Sequence, residues 1–300
     1  MAADQAPTYG GQAVIEGVMI RGQGHVSIAV RRPDGSIAQQ CQPLSPLFTG
    51  RLRRLPLLRG VIVLVETLAL GMKALTYSAN VAAEAEGMEI GKGAIALMMA
   101  TSLAFGVGVF FLLPVLASTP LEGALGNDLL SNIAEGAIRL SLFVGYVYLI
   151  GRMKEIRRVF MYHGAEHMTV HAQEHGDPLT VEAVRKYPAA HPRCGTAFLL
   201  VVMVIAVVAF VTVPRDPFWW LIASRVIFIP VIAALAYELI RLSGRYSGNP
   251  LVRLITGPSL ALQSLTTRPP EDDQIEVAIN AMEQALEADS GQPSVHEGSG

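Results

Sequence analysis

Tyr162-His163-Gly164-Ala165-Glu166-His167 follows directly on a long apolar segment, and its reading decides what kind of chain this is. Residues four apart on a helix share a face, with Cβ atoms roughly 6 Å apart. His163 and His167 can therefore reach one ion. The order H-x-x-E-H is that of zinc peptidases with a reversed motif. Further along, His191-Pro192-Arg193-Cys194-Gly195 offers another imidazole and a thiol just before a second apolar run. Tetrahedral zinc accepts His, Cys, Asp or Glu, and a catalytic site keeps one position open. The pattern predicts a divalent metal site, with zinc the expected ion, held by His163, His167, His191 and Cys194. Glu166 is the candidate general base, or alternatively a ligand.

His163, His167, His171 and His175 recur every four residues. Each step drifts by about 40° around a helix, so four such rings cannot converge on one ion. Only an adjacent pair can, and His163/His167 has the carboxylate beside it. His171 and His175 read as polar-face residues, and Gly176-Asp177-Pro178 should stop the helix. The plainer alternative is a helix whose histidines serve solubility, with Cys194 a small packing residue and Arg193 a membrane-edge anchor.

Outward from this stretch the chain looks membrane-like. Of 300 residues, 51% are hydrophobic and 16% charged, against about 25% charged in a soluble domain. A net charge of −2 gives no reason to expect nucleic acid as a partner. Two cysteines, Cys41 and Cys194, are too few for a disulfide framework. The first residues lack the pattern of a cleaved secretory signal.

Four segments approach the length of about 20 apolar residues that crosses a bilayer: Gly93 to Ala117, Asn132 to Gly151, Gly195 to Val213 and Phe218 to Ile240. Leu57 to Tyr77 is interrupted by Glu66 and Lys73, which lie on nearly the same face. Basic residues gather before the first segment, at Arg152, Lys154, Arg157 and Arg158, and at Arg241, Arg245 and Arg253. Lys and Arg stay on the cytoplasmic side, so four spans with both termini cytosolic fit. Leu57 to Tyr77 is then an interfacial or re-entrant helix; an ordinary fifth span is the alternative. A lipid bilayer is the expected partner.

The predicted fold is mainly α and polytopic, with a small cytosolic α+β part. Its segments are 1–56 (a Gly-rich stretch and a β-hairpin over Val26–Val30 and Ile37–Cys41 with an Asp34-Gly35 turn), 57–151 (the interfacial helix and two spans), 152–194 (the histidine-rich loop), 195–240 (two spans), 241–289 (a cytosolic C-terminal segment) and 290–300 (a disordered tail). Asp273 to Ala288 reads as a short, weakly amphipathic helix entered by a strand. Ionisable residues within spans are functional candidates by default. Glu135 and Arg139 can pair along one helix, Glu238 reads as a structural partner of Arg241, and Arg225 must face the bundle or reach water.

Several blocks resemble a bacterial membrane family, the YqhQ-like proteins, often labelled predicted metal-dependent enzymes. They are Gly10-Gly11-Gln12-Ala13-Val14-Ile15-Glu16-Gly17-Val18-Met19, Tyr162 to His167, His191 to Thr196, Tyr237-Glu238 with Arg241, and Leu262 to Pro270 with Gln274 to Ala278. The likeness runs from about Gly10 to Leu286. It implies a site at His163, Glu166, His167, His191 and Cys194. Glu16, Arg193, Arg225 and Glu238 are further candidates from the residues themselves. The leading expectation is a zinc-dependent hydrolase at the cytosolic membrane face, acting on a lipid-linked or membrane-protein substrate. A non-catalytic scaffold with a structural metal is the alternative; a transporter is weaker, for lack of paired broken helices.

Overall fold

The computed structural model describes residues 9–50, 55–84, 91–191, 194–245, 249, 257–258 and 261–291. The chain opens with an antiparallel meander of four strands, β1 (Gly10–Val14), β2 (Gly17–Arg21), β3 (His25–Arg31) and β4 (Ile37–Pro43), paired in sequence order. The expected hairpin is its second half, with Gly35 at φ 89° in the turn. The Gly-rich stretch before it forms two further strands. Gly17 must be a glycine because an added Cβ would lie 2.4 Å from the Ala29 carbonyl oxygen.

Numbering the longer helices, α1 spans Leu58–Ala83, α2 Gly93–Leu125, α3 Asp128–Ile150, α4 Lys154–His175, α5 Gly195–Val211, α6 Phe218–Ile227, α7 Ile229–Arg245 and α8 Asp272–Ser290. β2 and β3 are buried on both faces, which requires cover on each side. Val18, Ile20 and Ala29 pack with α4 and α8, while Met19, Val26, Ile28 and Val30 pack with Leu70, Ala74 and Val81 of α1. The C-terminal α8 enters through a Glu271/Gln274 capping box, not a strand, and buries Ile275, Val277, Ala278 and Met282.

α1 is one unbroken helix used by two partners. Its first turns meet α7, where a Cβ on Gly60 would lie 2.7 Å from Ala234 Cα. Its later turns cover the sheet. Glu66 therefore pairs with Arg21 of β2 at 3.0 Å, not with Lys73, which is exposed. Glu238 likewise pairs with Arg59 of α1 in place of Arg241, because the α1–α7 crossing brings the guanidinium alongside.

Two described helices, α2 and α3, are long and apolar enough to cross a membrane, or three if the bent pair α6–α7 counts as one span. That is fewer than the four expected. α5 has 17 residues, about 25 Å of helix against about 30 Å of hydrocarbon. α6 and α7 meet at a 41° bend, and Pro230 at the start of α7 cannot donate the hydrogen bond that would continue α6. Leu97, Met98, Leu103 and Phe105 of α2 are exposed, a surface compatible with membrane lipid.

Within the apolar helices a charge cluster is fully internal. Glu135 is 1% exposed and accepts from three guanidinium groups, Arg139 at 2.6 Å, Arg215 at 2.8 Å and Arg225 at 2.7 Å. Arg225 thus faces the bundle, and Arg215 arrives from the loop between α5 and α6. Pro114 deprives the Phe110 carbonyl of its helical donor; a π turn forms at Gly108–Leu112, and Arg139 Nε donates to that carbonyl at 3.0 Å.

Candidate metal centre

α4 begins just after α3, carries the histidines, and stops where Gly176 turns left-handed at φ 73°. Tyr162, Ala165, Met168 and Ala172 recur at helical spacing and bury one face against the sheet and α8. The adjoining face is covered by two returning segments. Residues 187–191 run back along α4, and residues 261–268 cross its first half. Gly164 permits that crossing: a Cβ there would lie 2.2 Å from the Arg268 carbonyl oxygen. Arg268 N donates to the Phe160 carbonyl at 2.9 Å.

These segments orient the imidazoles. His163 Nδ1 lies 2.9 Å from the Thr266 carbonyl, and His167 Nδ1 lies 2.6 Å from that of Ala189. A carbonyl only accepts, so each Nδ1 carries the proton and each Nε2 turns inward. His163 Nε2 is 3.2 Å from Cys194 Sγ. One donor atom from each of His163, His167 and Cys194 lies within 4.8 Å of the others. Ion-to-donor distances of about 2.0–2.3 Å at tetrahedral angles put donors about 3.3–3.7 Å apart; the His163–Cys194 pair is near that spacing and the third donor is within 4.8 Å, so the trio could close on an ion of this size. Backbone anchoring of the second ring nitrogen is the support metal-binding histidines ordinarily have.

Glu166 is 3% exposed, with Oε2 3.5 Å from His167 Nε2. Burial raises its pKa, opposed by the neighbouring histidines and by a hydrogen bond from the Gly11 backbone. Gly11 is the glycine of β1 that lets the strand come this close; a Cβ there would lie 2.9 Å from Glu166 Cγ. Burial alone would raise the Cys194 thiol, yet His163 and His167 together pull it down to about 4. His167 is pushed down by burial but brought up to about 9 by Cys194 and Glu166. These opposing shifts favour a thiolate beside an imidazolium.

His191 does not complete this trio. Its donors group with His171 and Glu174, again within 4.8 Å. The reason is the direction of residues 187–191: the segment passes His167 before it reaches His171, so the His191 ring lies 5.7 Å from His167 and 4.4 Å from His171. Burial and His171 drive its pKa down to about 4. His171 is accordingly half-buried, not a free polar-face residue, and His175 Nδ1 caps the His171 carbonyl at 2.7 Å.

The remaining candidates stand apart. Glu16 holds Arg158 and Tyr162 of α4 at 2.5 and 3.2 Å. Glu238 and Arg225 belong to the contacts among the apolar helices. Arg193 lies outside the described residues, as does the tail beyond Gly291. Sequence reasoning passed over Glu174, although His171 and Glu174 are three apart on one helical face. It also passed over Gln263, which clamps the His191 backbone by bonds of 2.8 and 2.9 Å.

Fold and site define a mainly helical protein with membrane-compatible apolar helices and a small sheet that backs a His/Cys cluster. The chain belongs to the DUF1385 family, described as proteins of unknown function, whose model matches residues 55–288. It is similar to the uncharacterized protein YqhQ of Bacillus subtilis (strain 168), 35% identical over 295 residues, which covers 93% of this chain and 92% of that one. No solved structure matches.

Proposed function

We propose that this protein is a membrane-embedded zinc-dependent hydrolase whose site faces the cytosol at the surface of the bacterial inner membrane. One observation carries the reading. Two imidazoles, each fixed by a backbone carbonyl, turn their Nε2 atoms toward one buried thiol, with a buried carboxyl beside them. His163, His167 and Cys194 would hold the ion, which supplies Lewis acidity toward a carbonyl or phosphoryl oxygen. Glu166 holds or moves a proton at Oε2, and its raised pKa suits a group that must do both. Residues 187–191 and 261–268 cover the site, and Glu166, His167 and Cys194 are buried. Cys194 immediately precedes the apolar α5, so a lipid-linked or membrane-protein substrate has the shortest approach. The basic residues after α3 support a cytosolic orientation.

The test is metal analysis of the full-length protein, purified without chelator, beside a His163→Ala/His167→Ala variant. The wild type should hold stoichiometric zinc, and the variant should lose the ion of this trio. Equal, negligible metal in both ends the reading. The burial of Glu166 and Cys194 favours a second reading, a non-catalytic scaffold closed around a structural ion. Glu166→Gln separates them: loss of cellular function in a folded, metal-loaded protein excludes the scaffold.

A further inference from the structure

We propose a second divalent-cation site on the same helix, formed by His171, Glu174 and His191. It does not depend on the hydrolase reading and shares no ligand with the first trio.

The drift of about 40° per four residues that forbids one four-histidine site allows two sites of adjacent pairs. His163 and His167 serve the first; His171 and Glu174, three apart, face the second. The donors of His171, Glu174 and His191 lie within 4.8 Å of one another, as in the first trio. His191 Nε2 and Glu174 Oε2 share a hydrogen-bond contact of 3.4 Å, a separation close to the donor spacing of about 3.3 Å around a tetrahedral ion with nitrogen and oxygen ligands, so an ion could replace the shared proton without moving either group far.

The second trio is also supported as ligands need to be. His171 Nε2 donates to the Ala190 carbonyl at 2.9 Å, which leaves Nδ1 for an ion. The Tyr187 ring stacks on His171 at 5.8 Å and 8°. Gln263 fixes His191 through both its backbone groups. The carbonyls of Ala189 and Ala190, neighbours in the chain, thus anchor one histidine of each site. Two imidazoles and a carboxylate form a harder donor set than one containing thiolate, so this site takes a transition ion with nitrogen and oxygen preference.

Cobalt(II) titration of the metal-stripped, full-length protein in detergent tests this. The wild type should take about two ions per chain, one for each three-donor set, with sulfur-to-cobalt charge-transfer absorption from only one of them. His171→Ala and the near-isosteric Glu174→Gln should each lose one ion and keep that band. Cys194→Ser should lose the band and keep the ion that depends on His171. If both His171→Ala and Glu174→Gln, eluting as folded protein, bind as many ions as the wild type, the second site is overturned. It is overturned equally if either abolishes the band along with all metal, which would merge the trios into one site. Loss of an ion in His171→Ala with Cys194→Ser unchanged in content would sink the first site and leave the second standing.

Discussion

Two regions of this molecule bury polar side chains, and they do so in opposite ways. Among the apolar helices, Arg139, Arg215 and Arg225 converge on Glu135, and Asn132, Ser118 and Ser224 take up further donors. Phe210 lies under two of the guanidinium groups, 5.6 and 4.5 Å from ring centre to carbon. Each of the three guanidinium groups donates to more than one acceptor from the protein. Beside the sheet, His163, His167 and Cys194 bring one donor atom each within 4.8 Å of the others, and two of these groups change charge readily. A closed network of opposite charges holds a fold together; the His/Cys cluster, under the proposed reading, receives a cation.

The largest expected effect tests the first half of this contrast. Glu135→Ala leaves three buried guanidinium groups without their carboxylate. Breaking a buried ion pair by removing one partner costs about 3–5 kcal/mol. The protein should lose its monodisperse elution in mild detergent, while His163→Ala elutes normally. Normal elution of Glu135→Ala would show that the cluster is not structural.

Gly164→Ala comes next. The added Cβ collides with backbone, a contact that no rotamer change relieves, at a cost of about 1–3 kcal/mol. Residues 261–268 must retreat, and Thr266 leaves His163 Nδ1. Loss of such outer support weakens metal binding by about 10–100-fold. Chelator competition would measure it; unchanged affinity would mean that Thr266 does not orient His163.

The pH dependence is gentler. An ion must displace the proton that His167 keeps up to about 9. Affinity should therefore rise about tenfold per pH unit toward that value and level off above it. Cys194 is already deprotonated above about 4, so the thiol adds no proton competition over that range. A flat profile over about pH 6 to 8 would contradict a protonated His167.

How much of this was legible in the sequence depended on the range of the interaction. The His163/His167 pairing and the β3–β4 turn at Gly35 follow from local periodicity, and both are present. α1 was harder to read, because Glu66 finds its partner on β2 and Gly60 its neighbour on α7, contacts that no helical wheel contains. The four expected spans fell to two or three for reasons of length and of Pro230. His191 lies nearer His171 than His167, and spacing along the chain gives no direction for the returning segment that brings it there. Gln263 and the Thr266 carbonyl stood inside a block the family resemblance marked, but nothing local assigns a backbone clamp or a carbonyl anchor.

Glu16 offers the smallest effect and the finest test of where the receptive region ends. It occupies the second position of the two-residue turn between β1 and β2, at φ 52°, where glycine or asparagine would sit more easily. A glutamate there earns its place through Arg158 and Tyr162, which lock the first turns of α4 onto the sheet. That ion pair is about one-third exposed on each side, so its worth is about 0.2–1 kcal/mol. Glu16→Gln keeps an acceptor for the Tyr162 hydroxyl and gives up only the charge. It should lower the thermal midpoint slightly and leave metal content unchanged. A loss of bound metal would extend the site to the strand turn and make Glu16 a positioning residue for His163.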